Sequence, residues 1–409
     1  MKMTRQKMLR ASMGWGILAG FMGDKAGMLN ASQTSARIQA RAQVHDWHSE
    51  LTGRIAALEG RGGGTLELGD GVYEISKPLR LPVSVSLVMT PYAVIRARSG
   101  FQGDAVVIKG GGKYSKFCFH GGWIRGGVID GNRQPLTGLR VESDVERTEI
   151  ADIEVLNALY KGIHLLKGGY ETNLTRVRCD IELDTRYAPG SIGIHYERGD
   201  SKIILAHAIG YETGVRSDEG SNWFTAVHVW NYDPAQGPMK HCFYCNGDLN
   251  TFNQCYADSP TVAGFYITKP YQSIVQCRVY YSRWAADNAG AGFLITSEGK
   301  HGTYLGNVLF ADKGHRLAKA FAGDLDGACI LGNCVMDGVM GGQENRIPSG
   351  SSVYHPPLNL VGSGVRLTEQ TTAPSVEDGD LGEVRWMDDG SSSALWVKTK
   401  RGWKKSELV

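Results

Sequence analysis

Six short stretches of similar sequence recur in the middle of the chain, and they decide the fold. Each begins with glycine: Gly138-Leu-Arg-Val, Gly162-Ile-His-Leu, Gly193-Ile-His-Tyr, Gly214-Val-Arg-Ser, Gly264-Phe-Tyr-Ile and Gly292-Phe-Leu-Ile. The intervals between the glycines are 24, 31, 21, 50 and 28 residues, and Cys242-Phe-Tyr-Cys divides the longest into 28 and 22. Such a period is typical of stacked supersecondary units. Because the apolar stretches are too short for helices, the repeat predicts an all-β, right-handed parallel β-helix.

The composition fits one long solenoid with a large core. The chain has 409 residues, 42% of them hydrophobic, and it holds 54 glycines but only 13 prolines, which suits many short strands joined by turns. The formal net charge of +2 predicts neither a nucleic-acid partner nor an anionic membrane partner. No segment of the sequence is long and apolar enough to predict a membrane span.

The pattern changes along the chain and predicts five segments. Residues 1–30 read as a leader or flexible arm with a weak export signal, in which basic residues precede the short apolar stretch 11–23. Residues 31–64 predict a capping helix that stops at the glycines 60–64, because apolar residues recur there at helical spacing. Residues 65–340 predict the β-helix, residues 341–372 a linker, and residues 373–409 a small C-terminal β module.

Two stretches near the start of the repeats resemble a known superfamily. Thr65-Leu-Glu-Leu with Gly71-Val-Tyr-Glu-Ile follows the helix, and Trp123-Ile-Arg-Gly-Gly-Val-Ile-Asp-Gly-Asn132 follows later. Together they resemble the pectate-lyase-like (pectin-lyase fold) superfamily of glycan-active proteins, which includes phage tailspike depolymerases. The resemblance implies a polysaccharide substrate, a homotrimer, and an extracellular or virion-associated protein. The repeats lack the adjacent aspartates and the Gly-His-Gly of polygalacturonases, so that family's mechanism does not carry over.

Acidic residues recur where the second strand of each repeat ends. Alignment of the repeats places Glu212, Asp233, Asp258, Arg283 and Asp312 at one corner of successive coils. Neighbouring strands lie about 4.8 Å apart, so carboxylates on nearby coils approach the separations used by glycosidases. A row of like charges also raises some pKa values, which keeps one carboxyl protonated as a general acid. We predict that Asp233 and Asp258 are catalytic, with Glu212 and Asp312 next; the alternative is that these are turn residues.

Basic and aromatic residues occupy the loops beside the same corner. They suit an acidic sugar, because arginine binds a carboxylate through two hydrogen bonds and a basic group can abstract the proton next to it. The predicted substrate-binding residues are Arg283, Trp284, Lys240, His241, Lys313, His315 and Arg316.

These features predict an enzyme that degrades a polysaccharide, with hydrolysis by a carboxylate pair ahead of β-elimination by a lyase. An intramolecular glycan or fructan transferase and a non-catalytic adhesin or phage tail protein are the alternatives. We predict no cofactor and no metal site, although Asp324-x-Asp326 is a weak calcium candidate. The eight cysteines read as buried apolar residues, and Cys242-x-x-Cys245 as a redox or metal pair is the alternative.

Overall fold

The computed structural model describes residues 45–110, 122–231, 237–281, 289–311, 317–331 and 333–335, together with six short strands between residues 359 and 407. The chain divides into two units, Met1–His45 and Asp46–Val409, and every element described below belongs to the second. Helix α1 (His48–Gly60) ends where the glycine run predicts. It buries Leu51 and Ile55 in the hydrophobic core, and its Arg54 donates a 2.8 Å hydrogen bond to the carbonyl of Glu67. Residues 31–44 of the predicted helix lie outside the described residues.

Three long parallel sheets confirm the predicted parallel β-helix. Each coil contributes one strand to each sheet in turn, so neighbours within a sheet are three strands apart in the sequence. Sheet 1 contains β1 (Gly64–Leu68), β4 (Val85–Met89), β7 (Ile124–Arg125), β10 (Glu149–Ala151), β13 (Asn173–Thr175), β16 (Lys202–Ile204), β19 (Trp223–Thr225), β22 (Thr251–Asn253), β25 (Ser273–Val275), β28 (Thr303–Leu305) and β31 (Cys329–Leu331).

Sheets 2 and 3 complete each coil. Sheet 2 contains β2 (Gly71–Ile75), β5 (Ala93–Ala97), β8 (Val128–Gln134), β11 (Glu154–Ala158), β14 (Arg178–Asp180), β17 (His207–Ile209), β20 (His228–Trp230), β23 (Tyr256–Asp258), β26 (Arg278–Tyr281), β29 (Val308–Ala311) and β32 (Cys334–Val335). Sheet 3 contains β3 (Leu79–Pro82), β6 (Asp104–Lys109), β9 (Thr137–Val141), β12 (Lys161–Leu165), β15 (Ile192–Tyr196), β18 (Thr213–Ser217), β21 (His241–Cys245), β24 (Ala263–Ile267), β27 (Ala289–Ile295) and β30 (Leu317–Gly323).

The recurring glycine is required where sheet 3 passes close to sheet 2. A Cβ on Gly162 would lie 2.6 Å from Sγ of Cys179, and a Cβ on Gly193 would lie 2.7 Å from Cβ of Ala208. Both distances are far below normal carbon contacts, so a side chain at this place displaces its neighbour. The glycine therefore recurs because the inward side chain of the next sheet 2 strand occupies its space.

Inward side chains of successive coils stack along the axis. On sheet 3, the ring centroids of Phe243 and Phe265 are 4.6 Å apart with planes 10° apart, and Phe293 continues the stack at 5.3 Å. On sheet 1, Phe224 and Phe252 stack in the same way at 4.5 Å. Such offset ring pairs add to the stability that burial supplies. The core thus contains continuous ring columns on sheets 1 and 3.

The corners of the coil differ sharply in length. From β7 onward, sheet 1 passes to sheet 2 through two residues. The first of them adopts a left-handed conformation even without glycine, as in Arg176 (φ 53°), Leu205 (φ 56°) and Gln254 (φ 55°). Sheet 2 passes to sheet 3 through connections as long as residues 181–191 or as short as 135–136 and 159–160. Sheet 3 passes to sheet 1 through connections that also vary, from residues 83–84 to residues 142–148. The corner beside which the sequence predicts binding residues is thus one of two variable corners.

The two cysteines of the Cys242-x-x-Cys245 motif lie in the core. Cys242 and Cys245 are free and fully buried, and burial raises the pKa of both thiols well above its usual value. Both side chains belong to the hydrophobic core, and their protonated thiols are weak nucleophiles, so we interpret these two cysteines as apolar core residues. Farther along, β33 (Asn359–Val361) pairs with β34 (Gly364–Arg366) within the predicted linker. The last strands are β35 (Glu369–Gln370), β36 (Val384–Asp388), β37 (Ser393–Thr399) and β38 (Gly402–Glu407), and they form a separate four-stranded sheet.

Within the described part of the chain, no helix has the length and apolar character needed to cross a membrane.

Candidate functional site

The outer face of sheet 3 carries a row of polar and aromatic side chains, one from each of the five strands β12, β15, β18, β21 and β24. Strand register aligns His164 of β12 with His195 of β15, and His195 with Arg216 of β18. The row continues through Tyr244 of β21 and Tyr266 of β24. Alternation along each strand points these side chains outward while their neighbours fill the core. Residues more than a hundred positions apart in the sequence thus share one face.

Lys161 is the centre of a polar cluster on this face. It is the first residue of β12 and is only 7% exposed. Its Nζ lies 2.9 Å from Nδ1 of His195 and 3.3 Å from Nδ1 of His164. The two imidazole rings are parallel within 2°, with centroids 4.7 Å apart. The lysine therefore bridges two stacked histidines.

A carboxylate holds each histidine on its other nitrogen. Nε2 of His164 lies 2.9 Å from Oε1 of Glu197, and Nε2 of His195 lies 2.7 Å from Oδ2 of Asp218. These partners assign the tautomer of His195, whose Nε2–H donates to Asp218 and whose Nδ1 accepts from Lys161. Nε2–H of His164 likewise donates to Glu197, while Nζ of Lys161 contacts both nitrogens of that ring, at 3.3 Å from Nδ1 and 3.2 Å from Nε2. We call these five residues with Arg216 the lysine–histidine cluster.

Asp218 is fixed by donors from three strands. Besides His195, it accepts a 2.9 Å bond from Nε of Arg216 and a 2.9 Å bond from Nδ2 of Asn246. Asn246 in turn accepts from the hydroxyl of Thr268 at 2.8 Å. The cluster is therefore supported by a chain of hydrogen bonds across four neighbouring coils, which fixes the orientation of His195.

Burial sets the protonation states in the cluster. It lowers the pKa of His164 to about 4 and lowers the pKa values of His195 and Lys161 as well. Burial alone would raise the pKa of Asp218 and Glu197, but the hydrogen bonds that they accept outweigh it and hold both values below the usual range. At neutral pH the site thus contains two neutral imidazoles, two ionised carboxylates, and an amine whose proton is easier to remove than in water.

This arrangement suits proton transfer better than metal binding. Among the residues that the structure describes, the nitrogens of His164 and His195 and an oxygen of Glu197 lie within 4.8 Å of one another. A zinc ion lies near the plane of each imidazole that binds it. Two parallel planes have no common point, and Lys161 already donates to both rings, so a shared ion would require the rings to rotate. At the weak calcium candidate, Asp324 and Asp326 instead pair with Lys300 at 3.2 and 3.5 Å.

Of the residues predicted from the sequence, Glu212 and Lys240 flank strands of sheet 3, and His241 is the first residue of β21. Glu212 immediately precedes β18, and its Oε1 lies 2.8 Å from Nζ of Lys240. Its Oε2 accepts a 3.1 Å hydrogen bond from the backbone N–H of Gly190. Burial alone would raise the pKa of Glu212, but these donors outweigh it and lower the pKa. Both oxygens are engaged and the group is ionised, so Glu212 links two corner loops and is poorly suited to act as a general acid.

Asp258 and Glu212 do not occupy equivalent positions in their coils, which corrects the sequence alignment of the repeats. It is the last residue of β23 and pairs in register with Tyr280, whereas Glu212 follows the end of β17 by three residues. The alignment treated Gln254 as a strand residue, but Gln254 is the left-handed corner residue, so β23 begins at Tyr256. The repeat containing Asp312 is also shifted, by one residue, because Val279 pairs with Leu309 and not with Val308.

The other predicted site residues lie outside the part of the chain that the structure describes. They are Asp233, Arg283, Trp284, Asp312, Lys313, His315 and Arg316. Their roles remain predictions.

Sequence reasoning missed the lysine–histidine cluster, although the repeats contain a signal for part of it. In four of the quoted stretches, the second residue after the glycine is charged or a histidine: Arg140, His164, His195 and Arg216. Alternation places that position on the outer face in every coil. Aligning it across repeats would have found half of the cluster.

Comparisons with known proteins support the fold. No protein-family model matches the chain, and no curated protein matches it. Among solved structures, the A-module of mannuronan C-5 epimerase AlgE4 from Azotobacter vinelandii matches with a TM-score of 0.55 at 13% identity, over 71% of this chain and 92% of that one. ORF18 of Geobacillus virus E2 matches with a TM-score of 0.58 at 14% identity, over 96% and 91%. A tailspike protein mutant of E. coli bacteriophage HK620 matches with a TM-score of 0.59 at 14% identity, over 78% and 64%.

Proposed function

We propose that the protein acts on a polysaccharide containing uronic acid and abstracts the proton at C5 of a uronate, with Lys161 as the base. The observation that carries this proposal is the contact of Lys161 Nζ with two imidazoles, each fixed by an ionised carboxylate. Burial lowers the pKa of the amine, which brings a lysine closer to the range of a base at neutral pH. The fold is shared with a mannuronan C-5 epimerase A-module, which is consistent with chemistry at C5 but does not carry it.

The proton that leaves C5 passes to Nζ of Lys161. The electron pair left on C5 is delocalised into the neighbouring carboxylate of the sugar, whose negative charge is balanced by a nearby cation such as Arg216. In β-elimination, that pair then forms a C4–C5 double bond as the C4–O bond breaks and the leaving oxygen takes up a proton. In epimerisation, a proton returns to the opposite face of C5. Both outcomes begin with the same abstraction.

A test of this proposal incubates the protein with mannuronan and with polygalacturonate in D2O. Ultraviolet absorbance detects the unsaturated product of elimination, and proton NMR detects exchange or inversion at C5. Lys161→Met should lower either rate by about 10²–10⁴-fold, because that is the usual contribution of a general base. Lys167→Met is the matched control, since Lys167 is 77% exposed and pairs only with Glu219 in the described contacts. Turnover that survives Lys161→Met at the parent rate would exclude this base.

Hydrolysis by a carboxylate pair is the second candidate, and one observation favours it. On the outer face of sheet 2, Arg178 contacts Glu154 at 3.1 Å and Asp180 at 2.5 Å. Burial raises the pKa of Glu154, which is the property required of a general acid. New reducing ends without ultraviolet absorbance, lost in Glu154→Gln but kept in Lys161→Met, would favour hydrolysis. Glycan binding with no product of either kind would leave the adhesin.

We also propose that the protein functions outside the cell or on a virion, as a homotrimer. Its fold is found in phage tailspike structures, which supports this assignment. Sedimentation should give a mass near three times 44.5 kDa. A monomer across the micromolar range would contradict the trimer.

A further inference from the structure

Three aromatic rings continue the outer face of sheet 3 beyond the lysine–histidine cluster. Tyr244 and Tyr266 follow Arg216 in the same row, and their ring centroids are 5.0 Å apart at 81°. His241, at the start of β21, stacks on Tyr266 with centroids 4.9 Å apart and planes 17° apart. We call Tyr244, Tyr266 and His241 the ring platform.

The core does not explain why these rings are aromatic. The side chains that fill the interior at this level are the neighbouring Phe243 and Phe265, which are fully buried. The rings of the platform face the opposite way and are only partly buried. Burial lowers the pKa of His241 to about 4, so its ring is uncharged at neutral pH. The face therefore presents apolar ring surface to solvent.

Arg216 connects the ring platform to the cluster. Its guanidinium carbon lies 4.9 Å from the centroid of Tyr244, while its Nε donates to Asp218. The Arg216 side chain is 34% exposed. A cation thus lies between the proposed base and the rings, where a second acidic sugar of the same chain would pass.

We infer that the ring platform is a binding subsite for pyranose rings of a uronate glycan that runs parallel to the axis of the β-helix. This inference rests on the proposed function, since it takes Lys161 as the place where the reacting sugar lies. From β12 to β21 is three strand spacings, so Lys161 and Tyr244 are separated by about 14 Å along the axis. A disaccharide cannot bridge that distance, whereas a hexasaccharide can. The geometry therefore requires an oligomer to engage both places and favours cleavage or modification within a chain.

Binding measurements in the Lys161→Met background separate this subsite from catalysis. Calorimetry with mannuronate and galacturonate oligomers of two and of six residues should show tighter binding of the hexamer. Tyr244→Ala should weaken hexamer binding about tenfold and leave dimer binding unchanged, because the ring contributes only to the distant subsite. Tyr244→Phe keeps the ring and should bind like the parent. Tyr271→Ala is the matched control, since Tyr271 is 54% exposed on a loop that follows sheet 3.

The possible results divide cleanly. If Tyr244→Ala and Tyr266→Ala, both with the parent melting temperature, bind the hexamer as tightly as the parent, the ring platform is not a subsite. If neither oligomer series binds, this ligand class is wrong. If Lys161→Met keeps full turnover while Tyr244→Ala still loses hexamer binding, the proposed base fails and the subsite stands.

Discussion

Replacing Gly264 with alanine tests why glycine recurs in the repeat. A Cβ at this position would lie 2.9 Å from Cγ1 of Val279, 3.1 Å from its Cγ2, and 2.8 Å from the carbonyl oxygen of Gly292. Carbon atoms pack at about 3.5–4.0 Å, so the two coils must separate locally by about 0.6 Å or more. Overpacking of this kind costs about 1–3 kcal/mol. Urea unfolding should therefore show a lower midpoint, with an unchanged slope, for Gly264→Ala.

The chain itself suggests the compensating change. In the one quoted repeat that begins with cysteine, Cys242 occupies the glycine position, and the sheet 2 residue in register with Val229 is Ala257. A larger residue on sheet 3 is thus matched by a smaller one on sheet 2. Val279→Ala alone should cost about 2 kcal/mol through lost burial and a small cavity.

The Gly264→Ala/Val279→Ala pair should be more stable than the sum of the single changes predicts, by about 1 kcal/mol. Rescue should be incomplete, because the contact with the Gly292 carbonyl remains. Gly69→Ala is the control, since a Cβ there meets nothing within 4 Å. Strict additivity in the double mutant, or parental stability of Gly264→Ala, would refute the close-approach explanation.

Three other changes test separate parts of the molecule. His164→Gln should flatten the pH dependence of stability. The pKa of His164 is about 4 in the folded protein against an ordinary 6.5, so between these pH values the unfolded chain binds a proton that the folded protein does not. The parent therefore loses about 2–3 kcal/mol of stability as the pH falls from 6.5 to 4, which urea unfolding at the two pH values measures. Arg198→Met should cost about 2–4 kcal/mol in the same assay at neutral pH, because the buried guanidinium donates to several buried carbonyls. Glu212→Gln should change turnover less than tenfold and stability by under about 1 kcal/mol, since its partner Lys240 is half exposed; loss of turnover comparable to Lys161→Met would restore Glu212 as a catalytic residue.

The fold was predictable because its main constraint is local and repeated. A glycine marks six strands of sheet 3, namely β9, β12, β15, β18, β24 and β27, and the close approach to sheet 2 explains it. The helix stop at Gly60 is likewise a local signal. These features depend on a few neighbouring residues in each coil, so they are visible without knowing how the coils align.

The site was harder to predict because it depends on register between coils. Gln254 and Leu205 adopt left-handed conformations at the corner, although neither residue type favours that conformation. The sequence therefore does not show at which residue the following strand begins. A shift in that start separates Asp258 from the row in which alignment placed it. In the lysine–histidine cluster, His195 links Lys161 at the start of one strand to Asp218 just after the end of another. No spacing along the sequence encodes that linkage.

The inner face of sheet 3 packs in the hydrophobic core, and its outer face carries the lysine–histidine cluster and the ring platform. In β21 and β24, the inward phenylalanines continue the core columns, while the next residue outward in each strand is a tyrosine of the ring platform. A change on the outer face therefore leaves the column beneath it intact, whereas a change in the column alters every outer residue above it. Because each coil adds one outer residue at a fixed spacing, the cluster and the rings are aligned by the same register that builds the core. The position of Lys161 relative to Tyr244 is thus set by the number of coils between them, and the rigidity of the rod keeps that distance constant as a glycan binds.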